Sequence, residues 1–205
     1  MVAIVDYGVG NLFSLNCSLN AIGVKSIVTS DAQELRRADK IILPGVGAFG
    51  DAAKKLCESG LDVIVVEEAR KGKPLLGICL GMQLLLEKGF EYGEHRGLGL
   101  IKGSIVPIKD HIEKDLKIPH IGWNSLTFQG EKSPIFKYIK DGDFVYFVHS
   151  FHGEDCKEST IATTEYGGTL TAAVSSKNVY GCQFHPEKSG TVGLKILKAF
   201  CELEV

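Results

Sequence analysis

Pro74-Leu75-Leu76-Gly77-Ile78-Cys79-Leu80-Gly81-Met82-Gln83 decides how this chain is read. A short apolar strand runs into Gly-x-Cys-x-Gly, and a helical pattern follows at once through Met82, Leu84, Leu85 and Leu86. Glycines on both sides of a central cysteine permit a sharp strand-to-helix turn that projects the middle side chain outward. The start of the new helix points free N–H groups at the sulfur, which favours thiolate. That help matters, because a free thiol near pKa ~8.5 is only a few per cent ionised at neutral pH. The competing reading is a buried cysteine between glycines that merely close a turn.

Upstream of this turn, strands and helices alternate. Val2–Asp6, Lys25–Thr29, Lys40–Leu43 and Pro74–Cys79 read as strands. Asn11–Ile22, stopped by Gly23, and about Asp51–Ser59 read as helices. Leu61–Arg70 has a strand-like Val-Ile-Val-Val centre, but its length and charged end favour helix. Downstream of Lys88 come short strands: Ser104–Ile108, Leu116–Ile118, Ser125–Phe128, Phe144–His149, Thr160–Thr164, Leu170–Val174 and Val179–Phe184. Gly167-Gly168 is a candidate hairpin turn, and a helix from about Thr191 to Leu203 closes the chain. The expected fold is α/β: one domain over residues 1–205 with a mostly parallel open sheet covered by helices on both faces. A smaller antiparallel section belongs to the second half.

The 205 residues suit one domain with a substantial core. A formal charge of −2 gives no basic footprint for nucleic acid or an anionic membrane. No apolar run reaches the ~18 residues needed to cross a bilayer, and the start reads as a strand rather than a signal peptide, so a cytoplasmic location is expected. Of six cysteines, Cys17, Cys57 and Cys201 read as inert residues in helices, Cys182 lies in a strand and Cys156 in a polar loop. No Cys-x-x-Cys pair occurs, so no metal is expected. Gly8-Val9-Gly10 follows a strand, but Phe13 stands where a dinucleotide fingerprint has its third glycine. Pro44-Gly45-Val46-Gly47 lacks the phosphate-loop pattern. No cofactor is expected.

Sites in open α/β sheets form beyond the carboxyl ends of the strands. Four such ends carry unusual residues: Tyr7–Asn11, Pro44–Gly47, Gly77–Gly81 and Gln183–Glu187. A cysteine nucleophile needs a base, and His185 has Glu187 two residues on, where extended chain puts both side chains on one face. Pro186 between them holds that geometry. The carboxylate would set the imidazole tautomer, as the third member of a triad does. His95, His111 and His120 sit in polar contexts with no such partner, and His149 with His152 forms the runner-up. Pro44–Gly47 and the Leu80 N–H can supply donors for an oxyanion.

These residues, Gly77–Gln83 with Phe184-His185-Pro186-Glu187, resemble the class I (triad) glutamine amidotransferases. Asp6–Leu12, Pro44–Phe49, Gly122-Trp123-Asn124 and Tyr146–Ser150 extend the resemblance to the glutaminase-subunit family of imidazole glycerol phosphate synthases, from Met1 to the final helix. The resemblance implies hydrolysis of glutamine and delivery of ammonia to a (β/α)₈ cyclase partner of histidine biosynthesis, in a heterodimer. It implies Cys79 as nucleophile, His185 as base and acid, and Glu187 as its orienter. Val46, Gly47 and Leu80 would border the oxyanion hole. Gln83, Glu91, His149, Ser150 and Phe151 would bind glutamine, although a tyrosine is usual where Phe151 stands. Val9, Asn11, Trp123, Asn124 and Lys188 would face the partner. The family's Pro-Arg-Met-Gly-Trp-Asn reads Pro119-His120-Ile121-Gly122-Trp123-Asn124 here. The resemblance also implies a peptide switch in Pro44–Gly47 when the partner binds its substrate. A glutaminase feeding a sugar-amidating synthase, and a self-sufficient cysteine hydrolase, are the alternatives.

Overall fold

A computed structural model describes residues 1–204 of the chain. The first half lays down β1 (Val2–Val5), α1 (Leu12–Ala21), β2 (Ser26–Thr29), α2 (Ala32–Arg37), β3 (Lys40–Leu43), α3 (Phe49–Glu58), α4 (Leu61–Arg70), β4 (Leu75–Ile78) and α5 (Leu80–Leu85). The second half adds β5 (Lys88–Gly89), β6 (His95–Arg96), β7 (Ser104–Pro107), β8 (His120–Ser125), β9 (Thr127–Phe128), β10 (Phe144–His149) and β11 (Phe151–Glu154). It ends with β12 (Thr160–Glu165), β13 (Thr169–Ser176), β14 (Val179–Cys182) and α6 (Gly190–Cys201).

One sheet runs β2-β1-β3-β4-β14-β13-β12-β9. Its first five strands are mutually parallel and the last three antiparallel. All four residues of β1, β3 and β4 are buried, as expected where helices cover both faces. Leu15 and Leu19 of α1 and Ile196, Leu197 and Phe200 of α6 close one face. Leu35 of α2, Leu56 of α3 and Leu61 and Val65 of α4 close the other. A β8–β10 ribbon and a small β11-β7-β5-β6 sheet stand beside the main sheet.

Several expectations are corrected. Leu116–Ile118 is no strand: Leu116 packs on the Gly167-Gly168 turn, where Glu113 N–H donates to the Gly167 carbonyl, and no neighbour offers a ladder. Ser125–Phe128 is divided between two sheets, because Leu126 turns inward with its N–H on the Asp143 carbonyl. The strand His120–Ser125 and the helix Ala32–Arg37 were not expected at all. Cys17 and Cys57 are exposed, since Leu15 and Leu19, and Ala52 and Leu56, hold the inward stripes of their helices. Cys156 is buried rather than in a solvated loop. Phe13 does not meet the strand; it is 80% exposed.

Candidate active site

Cys79 follows β4 with φ 55° and ψ −112°, a conformation that a side-chain-bearing residue adopts only when its surroundings hold it there. Its N–H donates to the Cys182 carbonyl at 2.7 Å, and its own carbonyl accepts from Gln83 N–H at 3.1 Å. Both flanking glycines are obligatory. A Cβ on Gly81 would stand 1.8 Å from the Leu43 carbonyl oxygen, and one on Gly77 would stand 2.7 Å from the Gly81 backbone. The elbow is therefore wedged between β3 and its own first turn. The helix that follows, Leu80–Leu85, has only six residues, fewer than two turns.

His185 lines the same cleft as Cys79 and interacts with it, and its Nδ1 lies 2.8 Å from Glu187 Oε1. Both His185 and Glu187 side chains are almost wholly buried. Pro186–Lys188 forms a 3₁₀ turn instead of continuing extended, so Glu187 curls back beneath the ring rather than lying beside it on a strand. The His185 backbone is anchored by its N–H on the Tyr146 carbonyl at 3.0 Å and by the Ser189 hydroxyl on its carbonyl at 2.6 Å. Burial pushes the His185 pKa down, but hydrogen bonds to Cys79 and Glu187 and their charges outweigh it and raise the pKa to about 9. The ring thus favours the protonated form at neutral pH.

A cleft of about 340 Å³ opens over the sulfur. Val46, Gly47 and Leu80 form one wall, and His149, Ser150 and Phe151 form another. Gln83, Glu91 and Lys188 complete it. Tyr7 Oη donates to the Pro44 carbonyl at 2.8 Å, fixing the segment that brings Val46 and Gly47 to the cleft. Burial, then the neighbouring Cys79, pushes the Tyr7 phenol far up, so it remains a donor. Gly47 has φ +96°, open to glycine and strained for other residues. Glu91 Oε2 accepts from Phe49 N–H at 2.7 Å, so this cleft carboxylate also caps α3, which has no cap of its own.

Gln183, in the Gln183–Glu187 strand end, is completely buried and lies against Cys79. Its Nε2 lies 3.8 Å from Cys79 Sγ, and its Oε1 accepts from Gln83 Nε2 at 3.0 Å. The amide orientations follow from one fixed point. Gln83 Nε2 also donates to the Phe151 carbonyl at 3.4 Å, so the Gln83 atom must be nitrogen. The Gln183 atom meeting it is then oxygen, and the one facing sulfur is an N–H donor. A glutamine two residues before the strand-end His185-Pro186-Glu187 was the available signal.

His120 is also relocated. Expected in a polar loop, it is fully buried in β8, with His149 Nε2 3.0 Å from its Nδ1. His149 and His152, the runner-up bases, are buried, and burial lowers their pKa to about 3 and about 4. Neither has a carboxylate hydrogen-bonded to its ring among the described residues, unlike His185. Trp123 and Lys188 both approach Tyr146, at 6.1 Å between ring centroids and 6.0 Å from Nζ to centroid. Asn11 and Val9 are half-buried, and Asn11 caps α1 by accepting from Ser14 N–H at 3.3 Å. Asn124 is half-buried between His120 and the Glu165 carbonyl. Ile121, Trp123 and Phe144 expose 58%, 52% and 55% of their surfaces on one ribbon.

The family model for glutamine amidotransferase class-I matches residues 3–203. The chain is 50% identical to an imidazole glycerol phosphate synthase subunit HisH from Caldanaerobacter subterraneus subsp. tengcongensis, over 99% of this chain and 98% of that one. A protein of the same name from Aquifex aeolicus is 49% identical over 96% and 94%. Another from Bacillus subtilis is 46% identical over 99% and 96%. Among solved structures, a glutamine amidotransferase superposes with TM-score 0.76 at 20% identity, covering 98% of each chain. PurLQS from Thermotoga maritima superposes at 0.73, also at 20% identity, covering 98% of this chain and 96% of that one. Those two likenesses concern the fold; the family rests on the sequence matches. This chain belongs to the class-I glutamine amidotransferases, and within them to the imidazole glycerol phosphate synthase subunit HisH group.

Proposed function

We propose that the chain is the glutaminase subunit of an imidazole glycerol phosphate synthase, with Cys79, His185 and Glu187 as its catalytic triad. The observation that carries this reading is the strained Cys79 elbow with the buried, carboxylate-bound His185 against its sulfur. Cys79 Sγ, as the thiolate paired with protonated His185, attacks the side-chain carboxamide carbon of glutamine. The oxyanion falls to the Leu80 N–H and to the Val46–Gly47 segment. Collapse breaks the C–N bond as His185 returns its proton to nitrogen, releasing ammonia and leaving a thioester. Water, losing a proton to His185, then frees glutamate and restores the thiolate beside protonated His185.

Gln83, Glu91, His149, Ser150 and Phe151 hold the substrate, and Gln183 donates to the sulfur whenever it is anionic. Ammonia is useful only while unprotonated, so it must pass directly to an acceptor enzyme. The exposed apolar ribbon at Ile121, Trp123 and Phe144, with Val9, Asn11, Asn124 and Lys188, receives that partner. The partner is a (β/α)₈ cyclase subunit of histidine biosynthesis, the two forming a cytoplasmic heterodimer. Among the described residues, no helix is long and apolar enough to cross a membrane.

The test is Cys79→Ala, assayed for glutamate release with the cyclase present. Hydrolysis should vanish while the two proteins still co-purify; unchanged hydrolysis refutes the nucleophile. Complementation of a strain lacking this subunit tests the acceptor, and failure to grow without histidine favours a different synthase.

A further inference from the structure

A second hydrogen-bonded line leaves the cleft through its wall. It starts at the Phe151 carbonyl, 2.8 Å from His149 Nδ1. His149 Nε2 then meets His120 Nδ1 at 3.0 Å, and His120 Nε2 meets Asn124 Oδ1 at 2.9 Å. Asn124 Nδ2 ends the line on the Glu165 carbonyl at 2.8 Å. Both termini are carbonyl oxygens, which only accept.

The hydrogens do not suffice. Four links need four hydrogens. Neutral His149 brings one, neutral His120 brings one, and the Asn124 amide directs one along the line whichever way it is turned. The total is three for every tautomer and either amide orientation, so the shortage does not depend on how hydrogens are assigned. One additional proton closes every link: His120 then donates on both sides, His149 donates to Phe151, and Asn124 donates to Glu165. A second feature suits a charge on His120. Its ring stacks on Tyr166 at 4.0 Å and 18° and on Phe147 at 5.1 Å and 20°, and aromatic faces attract cations.

We propose that His120 and His149 bind one proton between them and act as a positioning unit, fixing the Phe151 carbonyl and through it Gln83 and Gln183. The effect on catalysis rests on the glutaminase reading above; the shared proton does not. Burial lowers the proton affinity of both rings, and charge on His120, His152 or His185 lowers that of His149 further. The proton therefore belongs on His120, which stacks on Tyr166 and Phe147 and meets Asn124 Oδ1. No carboxylate hydrogen-bonds to either ring among the described residues. Uptake is thus an acid-side event: the line closes as pH falls below the ordinary histidine range and loses one link as pH rises.

The experiment is a pH titration of ring nitrogen shifts in the full chain labelled with ¹⁵N-histidine. His120 and His149 should respond together to the uptake of a single proton, below the ordinary pKa of about 6.5. Two variants separate positioning from mere packing. His120→Gln still contributes one hydrogen to the line and stays short, so the shared transition should disappear and, at pH values below the wild-type transition, KM for glutamine should rise roughly threefold or more in the assembled enzyme. His120→Arg brings a fixed cation with donors to spare, so KM should recover and lose its dependence on that transition. Independent titration of the two rings, or none, overturns the proposal, and so does a KM profile shared by the wild type and His120→Gln. The wild-type titration decides even if a variant fails to fold, and it does not require glutaminase activity.

Discussion

The Cys79 elbow and the β8–β10 ribbon border the same cleft, yet they are built on opposite principles. Around the elbow nothing can move: Gly81 leaves no room for a methyl group, and the Cys79 backbone is held from both sides. The ribbon instead turns Ile121, Trp123 and Phe144 to solvent on one face while Val145 and Phe147 are buried on the other. A reacting sulfur must be placed to a fraction of an ångström, which demands close packing and accepts backbone strain. A docking surface must remain open until its partner arrives, and its exposed apolar area is stabilised only in the complex. On the proposed function, the chain keeps a finished chemical centre beside a surface left open for its partner.

The hardest test of that contrast removes the sulfur. Cys79→Ala should lower glutamine turnover by a factor on the order of 10³ or more, measured as glutamate release, while leaving the affinity for the partner unchanged. Gly81→Ala comes next. A methyl group driven into the Leu43 carbonyl should cost more than about 4 kcal/mol, so chemical denaturation should find the chain unfolded or nearly so. If it folds normally, the elbow is not the rigid element described here.

Gln183→Leu removes one buried donor from the sulfur. A hydrogen bond to a charged group is worth about 1.5–3 kcal/mol, so kcat/KM should fall roughly tenfold to a hundredfold with the fold retained. Alkylation of Cys79 by iodoacetamide should slow in parallel near neutral pH. Trp123→Ala should weaken partner binding by about 2 kcal/mol in calorimetry, yet leave that alkylation rate alone. A change in alkylation would mean that ribbon and elbow are not separate.

The smallest effect is a slope. His185 has its folded pKa raised to about 9, so the stability it contributes is full below the unfolded value near 6.5 and is lost as pH rises through 9. Denaturant midpoints should therefore fall across roughly pH 6.5 to 9, and less steeply in Cys79→Ala, where one of the two partners of the ring is gone.

Much of this was legible in residue order. The apolar run, the paired glycines and the cysteine give a strand and a sharp turn at Cys79, because local sterics alone require glycine there. The alternation of strands and helices before Lys88 gives a parallel sheet, since buried strands must be apolar on both faces. The second half was harder: β8 carries Gly122 and Asn124, has no clean alternation, and pairs with β10 across a loop.

Local order also placed His185 near Glu187, although it suggested an extended pair where a 3₁₀ turn exists. What the sequence could not decide is which distant polar groups share hydrogens. Gln83 meets Gln183 a hundred positions on, and His120 meets His149 across two strands, because sheet register brings them together. Sequence alone determined the cysteine elbow and the parallel half of the sheet, through short-range geometry and hydrophobic pattern. Only the tertiary structure decided how the elbow is wedged, which amide faces the sulfur, and that a buried histidine pair lacks one proton, because those depend on contacts that close only when the chain packs.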